Sequence, residues 1–138
     1  MVEISVEYEG DLHCLSIHGP SRAALSTDAP KDNLGKGEAF SPTDLAATSL
    51  GVCMLTTMAI AAAKRSLDLD LSGTRAMVRK HMTATPPRRI ERIEVNVEIP
   101  LPDTHSVRGL LEDAALNCPV ALSLHPDVEK VVTFSWKG

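Results

Sequence analysis

The chain has 138 residues, enough for one domain with a sizeable core. Hydrophobic residues make up 43%, which excludes a disordered polymer. A net charge of -4 and a pI near 5.7 argue against a general nucleic-acid binder.

The first residues, Met1-Val2-Glu3-Ile4, lack the basic and apolar regions of a signal peptide, so a cytoplasmic location is expected. Thiols are kept reduced there. Val2, Ile4, Val6 and Tyr8 alternate with Glu3, Ser5 and Glu7, the pattern of a half-buried strand. Glu9-Gly10-Asp11 forms a turn, and residues 12–18 return as a second strand carrying Cys14. A lone cysteine on a strand reads as a small core hydrophobe. Gly19-Pro20 breaks the strand, and residues 22–27 are expected to form a third. Residues 28–40 hold Pro30, Gly35 and Gly37 among charges, a loop of the length that often carries function.

That loop leads into the stretch around which the rest is organised. Ser41 can accept from a free first-turn amide, and Pro42 suits the first helical position, where its missing N–H costs nothing. Asp44, three residues after Ser41, completes a short capping box. From Leu45 to Ala63 no residue is charged, and Lys64 and Arg65 close the run at the negative end of the helix. A helix apolar or small on every side is expected to be buried on every side. Although about 18 apolar residues can span a bilayer, Thr48, Ser49, Gly51, Thr56 and Thr57 dilute this run, and no membrane partner is expected.

Beyond the helix, Leu67, Leu69 and Leu71 alternate with Asp68 and Asp70, so a strand is expected from here, interrupted at Gly73 and continuing over 74–82. Pro86-Pro87-Arg88-Arg89 turns the chain. Ile93, Val95, Val97 and Ile99 then face one way and Glu94, Asn96 and Glu98 the other. Arg75, Arg79, Lys80, Arg88 and Arg89 read as a solvated face pairing across strands with these glutamates, in preference to an anion site. Thr104 or Ser106 can cap a second helix with Val107, Leu110, Leu111, Ala114 and Ala115 on its apolar side. Pro119 starts a short third helix through Leu124, and residues 128–136 form the last strand. The fold class is α+β, with antiparallel sheets around a long central buried helix.

Three cysteines, Cys14, Cys53 and Cys118, cannot all pair within one chain, and none forms a C-x-x-C. Cys118 precedes the short third helix, whose free amides would favour a thiolate. Cys53 sits mid-helix without that help, and burial alone would raise its pKa, so reactivity there needs a cation brought from elsewhere. Whether the two meet is for the fold to decide: a disulfide needs their Cα atoms within about 7 Å. A metal site from Cys53, Cys118, His81 and His125 lacks ligand spacing, and each histidine reads more simply as a surface residue.

Ser41-Pro42-Thr43-Asp44-Leu45, eight residues before Cys53 in Gly51-Val52-Cys53, followed by Cys118-Pro119-Val120, resembles the OsmC/Ohr family. The N-terminal hairpin, Thr27-Asp28-Ala29-Pro30 and the final strand fit the same pattern over nearly the whole chain, a single OsmC-like domain spanning 1–138. The resemblance implies an intertwined homodimer and a thiol-dependent peroxidase acting on organic hydroperoxides. Cys53 would become a sulfenic acid, Cys118 would condense with it to a disulfide, and a dithiol or lipoyl-type reductant would restore both. It implies no metal and no organic cofactor. Ohr-type members carry Asn-Pro-Glu where this chain has Ser41-Pro42-Thr43, and that glutamate, with a loop arginine, activates the reactive thiol. Thr43 cannot replace a carboxylate, which leaves Glu38 and Asp44 as candidates; Asp44 points about 100° further round the helix and suits the cap better. For the cation, Arg22 is the first candidate, with Lys31 and Lys36 behind it. Ser-Pro-x-Asp/Glu-Leu resembles a branch of the family for which a non-catalytic role is the alternative. Such a protein would bind an apolar small molecule at a dimer-interface pocket lined by Met54, Met58 and Leu55.

Overall fold

Residues Met1–Gly138 are all described in a computed structural model of the chain. Strands β1 (Ile4–Gly10), β2 (His13–His18) and β3 (Ala24–Asp28) make an antiparallel sheet in that order. Gly10 at φ 90, Asp11 at φ 52 and Leu12 at φ 62 form the first turn, where left-handed backbone lets two strands return on each other. The third strand starts later than expected because Arg22 is spent on the second turn, at φ 60 with its N–H on the His18 carbonyl at 2.8 Å.

This sheet belongs to the first of two compact units, Met1–Ala46 and Ala47–Gly138. The alternation in β1 is present, but Ile4, Val6 and Tyr8 stand exposed, not half-buried. No apolar side chain of the first unit is fully buried; Thr27, Asp28 and Ser41 are its buried residues. Cys14 is half-buried, opposite Tyr8 and Thr27.

Helix α1 (Pro42–Lys64) is 23 residues long. Its capping box is reciprocal: the Asp44 N–H donates to Ser41 Oγ at 3.1 Å, and the Ser41 N–H donates to Asp44 Oδ2 at 2.9 Å. At the far end, Leu67 N–H reaches the Ala62 carbonyl at 3.1 Å and Ser66 N–H the Ala63 carbonyl at 3.0 Å. With Ser66 at φ 52, these two bonds make a Schellman stop.

The core lies in the second unit. Ala47, Leu50, Met54, Met58 and Ala62 of α1 face Ile93, Val95, Val97 and Ile99 of β5 (Ile90–Ile99), joined by Leu111, Ala115, Cys118 and Ala121. Gly51 is needed in this layer, because a Cβ there would meet Val78 Cγ2 at 2.6 Å. The expectation that α1 is buried all round is corrected: Val52 is 59% exposed and Ile60 46%. By length and composition α1 could cross a membrane, with a mean hydropathy of 1.8 over its apolar window, yet one face of it is the core of this unit.

No strand forms at Leu67–Leu71. Asp70 Oδ1 instead takes the Ser72 N–H at 2.8 Å, a turn that competes with strand pairing, while Leu69 and Leu71 still pack against the core. Strand β4 (Arg75–Met82) pairs antiparallel with β5, setting Arg75 opposite Glu98 and Arg79 opposite Glu94 as the charge pattern implies. Strand β6 (Glu129–Trp136) runs parallel to β5, so this sheet is mixed. The connection between them carries α2 (Arg108–Leu116) and α3 (Pro119–Ser123), a crossover of the kind parallel neighbours require. Neither Thr104 nor Ser106 caps α2. Val107 occupies that position without a side-chain bond, and its N–H goes to His105 Nδ1 at 3.3 Å.

Candidate active site

Cys53 is carried by the middle of α1 and Cys118 by the residue that opens α3. The fold brings the two thiols close enough for Cys53 to influence the protonation of Cys118. All three cysteines of the chain are free, Cys118 buried and Cys53 half-buried. Cys53 Sγ also lies 3.8 Å from Thr57 Oγ1, one turn on along α1. Thr57 was detectable only as an i+4 neighbour, a spacing that on a helix places two side chains together.

Cys118 takes extended backbone, φ -65 and ψ 151, as the residue before a proline should. Its sulfur accepts the Ala121 N–H at 3.5 Å, so the expected amide is in place. The expected depression of its pKa is not. Burial pushes the Cys118 thiol up, contact with Cys53 adds to the rise, and the Ala121 and Val120 amides offset only part of it. Helix α3 has five residues and brings little dipole to bear, while the side chain has no exposure to water. Cys118 is thus held as a protonated thiol facing the Cys53 sulfur.

The remaining site candidates stand in the first unit. Arg22 is exposed on the β2–β3 turn. Glu38 Oε2 lies 3.2 Å from His13 Nε2, and Asp44 serves the helix cap. Lys36 pairs with Asp11 at 2.7 Å, and Lys31 lies in a single 3-10 turn, Lys31–Asn33. Neither contact described for Cys53, Thr57 or Cys118, is a cation.

Cys53, Cys118, His81 and His125 are not gathered into a metal site. His81 Nε2 faces Glu94 Oε1 at 3.1 Å, and His125 Nδ1 faces Asp127 Oδ2 at 3.7 Å. Met54 is shut inside the core, whereas Leu55 and Met58 border a cleft of about 390 Å³ lined also by Leu67, Leu69, Leu71 and Thr74.

Residues 35–131 match the OsmC-like protein family. A comparison with curated proteins gave no match. Among solved structures, a Psychrobacter arcticus protein, provisionally described as an osmotic stress induced and detoxification response protein, is similar at 43% identity. That likeness covers 97% of this chain and 96% of the other, with a TM-score of 0.88. An organic hydroperoxide resistance protein OsmC from Legionella pneumophila shares the fold at 15% identity and TM-score 0.76, over 98% of this chain and 96% of its own. An OsmC-like protein from Mycoplasma pneumoniae does so at 16% identity and TM-score 0.80, over 100% and 98%. With seven tenths of the chain matching and the motif cysteines side by side, this protein belongs to the OsmC-like family.

Proposed function

We propose that this protein is a thiol-dependent peroxidase that reduces organic hydroperoxides. The observation that carries the reading is the proximity of two thiols 65 positions apart in sequence, one of them shut from water and held protonated. The names of neighbours of the same fold, organic hydroperoxide resistance proteins from Legionella pneumophila and Elizabethkingia anophelis, agree with it.

In the first step the Cys53 thiolate attacks the terminal oxygen of ROOH. The O–O bond breaks, RO⁻ leaves and takes a proton as ROH, and Cys53 becomes a sulfenic acid. Next the Cys118 sulfur attacks the Cys53 sulfur. The S–O bond breaks, and hydroxide leaves with the Cys118 proton as water. A high Cys118 pKa suits this order, since the thiol stays protonated until the sulfenic acid beside it can use the proton. A dithiol of the lipoyl class then reduces the disulfide and is itself oxidised to a cyclic disulfide. Arg22 is the candidate cation for the first step, acting in a reducing cytoplasm.

A homodimer belongs to this reading. It would cover the apolar face of α1 marked by Val52 and Ile60 and the exposed row Ile4, Val6 and Tyr8, which a monomer leaves in water.

Titration of the reduced protein with an alkyl hydroperoxide tests the assignment. Cys53→Ser should consume none, and Cys118→Ser should consume one equivalent and then stall. Should both variants turn over at the parent rate, the thiol pair is not the catalyst.

One observation favours a second reading, a non-catalytic carrier of an apolar small molecule: the cleft at Leu55, Met58 and Leu69 is lined mainly by aliphatic side chains, with Ser72 and Thr74 at its wall. Native mass spectrometry of freshly purified protein would then show retained mass. An empty protein with fast peroxide turnover excludes it.

A further inference from the structure

The first unit holds a group of side chains that the thiol chemistry does not use. His13 opens β2, Asp28 ends β3 directly opposite it in the register, and Glu38 stands in the loop that precedes α1. We propose that His13, Asp28 and Glu38 form a mononuclear binding site for a divalent transition-metal ion of the zinc class, with water completing the coordination.

The geometry suits that use. One ligand atom from each residue lies within 4.8 Å of the other two. His13 Nε2 is 3.2 Å from Glu38 Oε2 and 3.6 Å from Asp28 Oδ2. Tetrahedral zinc with bonds of about 2.0–2.2 Å sets its ligand atoms about 3.3–3.6 Å apart. An imidazole and two carboxylates are nitrogen and oxygen donors that zinc, cobalt or manganese accepts.

The histidine tautomer points the same way. Its Nδ1 lies 2.6 Å from the Asp11 carbonyl, which can only accept, so the proton sits on Nδ1. This is the outer-shell arrangement that presents the Nε2 lone pair to a metal. Left unprotonated, that lone pair would face two carboxylates. Two carboxylate oxygens and one imidazole nitrogen thus converge on one point, an arrangement that a cation can bridge. The Lys36 ammonium is committed to Asp11 at 2.7 Å.

A separate observation marks the spot. The Asp28 side chain has no exposure, and its Oδ1 has no hydrogen-bond partner. The Glu38 N–H donates to Oδ2 at 2.9 Å. The Ala29 and Lys36 amides lend smaller support to the negative charge, but none reaches Oδ1 in bonding geometry. A buried carboxylate with an oxygen left unpaired is costly to keep charged, and a metal ion on this carboxylate would offset that cost. The Glu38 side chain, 57% exposed, leaves the approach open to water.

Titration of the full-length reduced protein with Co²⁺ after chelator treatment tests the site. One equivalent should bind with the visible d–d bands of a nitrogen–oxygen site, without a thiolate charge-transfer band, and Zn²⁺ should displace it. His13→Gln and Glu38→Gln should each weaken binding by about tenfold or more, and Cys53→Ser should bind as the parent does. Because Glu38 is a surface residue, Glu38→Gln removes a ligand without endangering the fold, which Asp28→Asn would. The proposal is overturned if no Co²⁺ binds at millimolar concentration, if Glu38→Gln binds as tightly as the parent, or if uptake carries the thiolate band and vanishes in Cys53→Ser.

Discussion

Gly51→Ala sets two known effects against each other at one atom. In a helix interior, alanine is favoured over glycine by about 0.5–1 kcal/mol. The added Cβ, however, would arrive 2.6 Å from Val78 Cγ2, well inside contact distance, with Ala76 Cβ at an ordinary 3.7 Å. Valine cannot swing away cheaply, because its branched χ1 is stiff. Overpacking of this kind costs about 1–3 kcal/mol, so the net effect is a loss of about 0.5–2 kcal/mol, or a few degrees in Tm. The diagnostic step is to repeat the change in a Val78→Ala background. There the obstructing methyl is gone, and Gly51→Ala should turn stabilising, with a coupling energy of about 1–2 kcal/mol. Urea denaturation of the reduced protein at one fixed concentration measures all four corners. If Gly51→Ala stabilises the parent and the Val78→Ala protein equally, the helix does not approach the sheet as described.

Three further outcomes are expected. Iodoacetamide at pH 8 should label Cys53 and Cys14 in the native protein well before Cys118, which burial shields and keeps protonated. Since the folded pKa of Cys118 is raised, its contribution to stability is complete below the ordinary thiol value of 9.0 and is lost as pH rises through the higher folded value. Cys118→Ser should therefore flatten the decline of stability above about pH 9, read by denaturant midpoints across pH. Ser41→Ala should cost about 1 kcal/mol, since it strips the part-buried Asp44 N–H of its Ser41 acceptor and breaks a reciprocal cap. Thermal unfolding checks it, and an unchanged Tm would mean the cap contributes nothing.

Much of the architecture was legible because its signals are local. The Ser41–Asp44 box, the 23-residue α1, the alternation in β5 and the Cys118–Pro119 helix start depend on neighbours within a few positions. The errors share a different origin. Leu67, Leu69 and Leu71 alternate like a strand, but the Asp70 side chain captures Ser72 and turns the chain. The row in β1 looks half-buried in sequence, yet Ile4, Val6 and Tyr8 have nothing over them in one chain. The direction of β6 is set by the long connection before it and leaves no trace in its own residues. For the site, motif resemblance could pair Cys53 with Cys118, but only the fold shows that burial outweighs the Ala121 amide. The grouping of His13, Asp28 and Glu38 was invisible because strand register, not spacing, brings it together.

The parallel pairing of β6 bears on the order in which this protein assembles. Strands β4 and β5 are neighbours in sequence and can zip as a hairpin from their turn. The partner for β6 is already laid down when it arrives, but roughly 30 intervening residues must first be looped out and compacted, an entropic toll met before any ladder bond rewards it. Cys118 rides inside that loop. Its shelter from water is accordingly expected among the last things completed, so a nascent chain would expose a reactive sulfur that the finished one conceals.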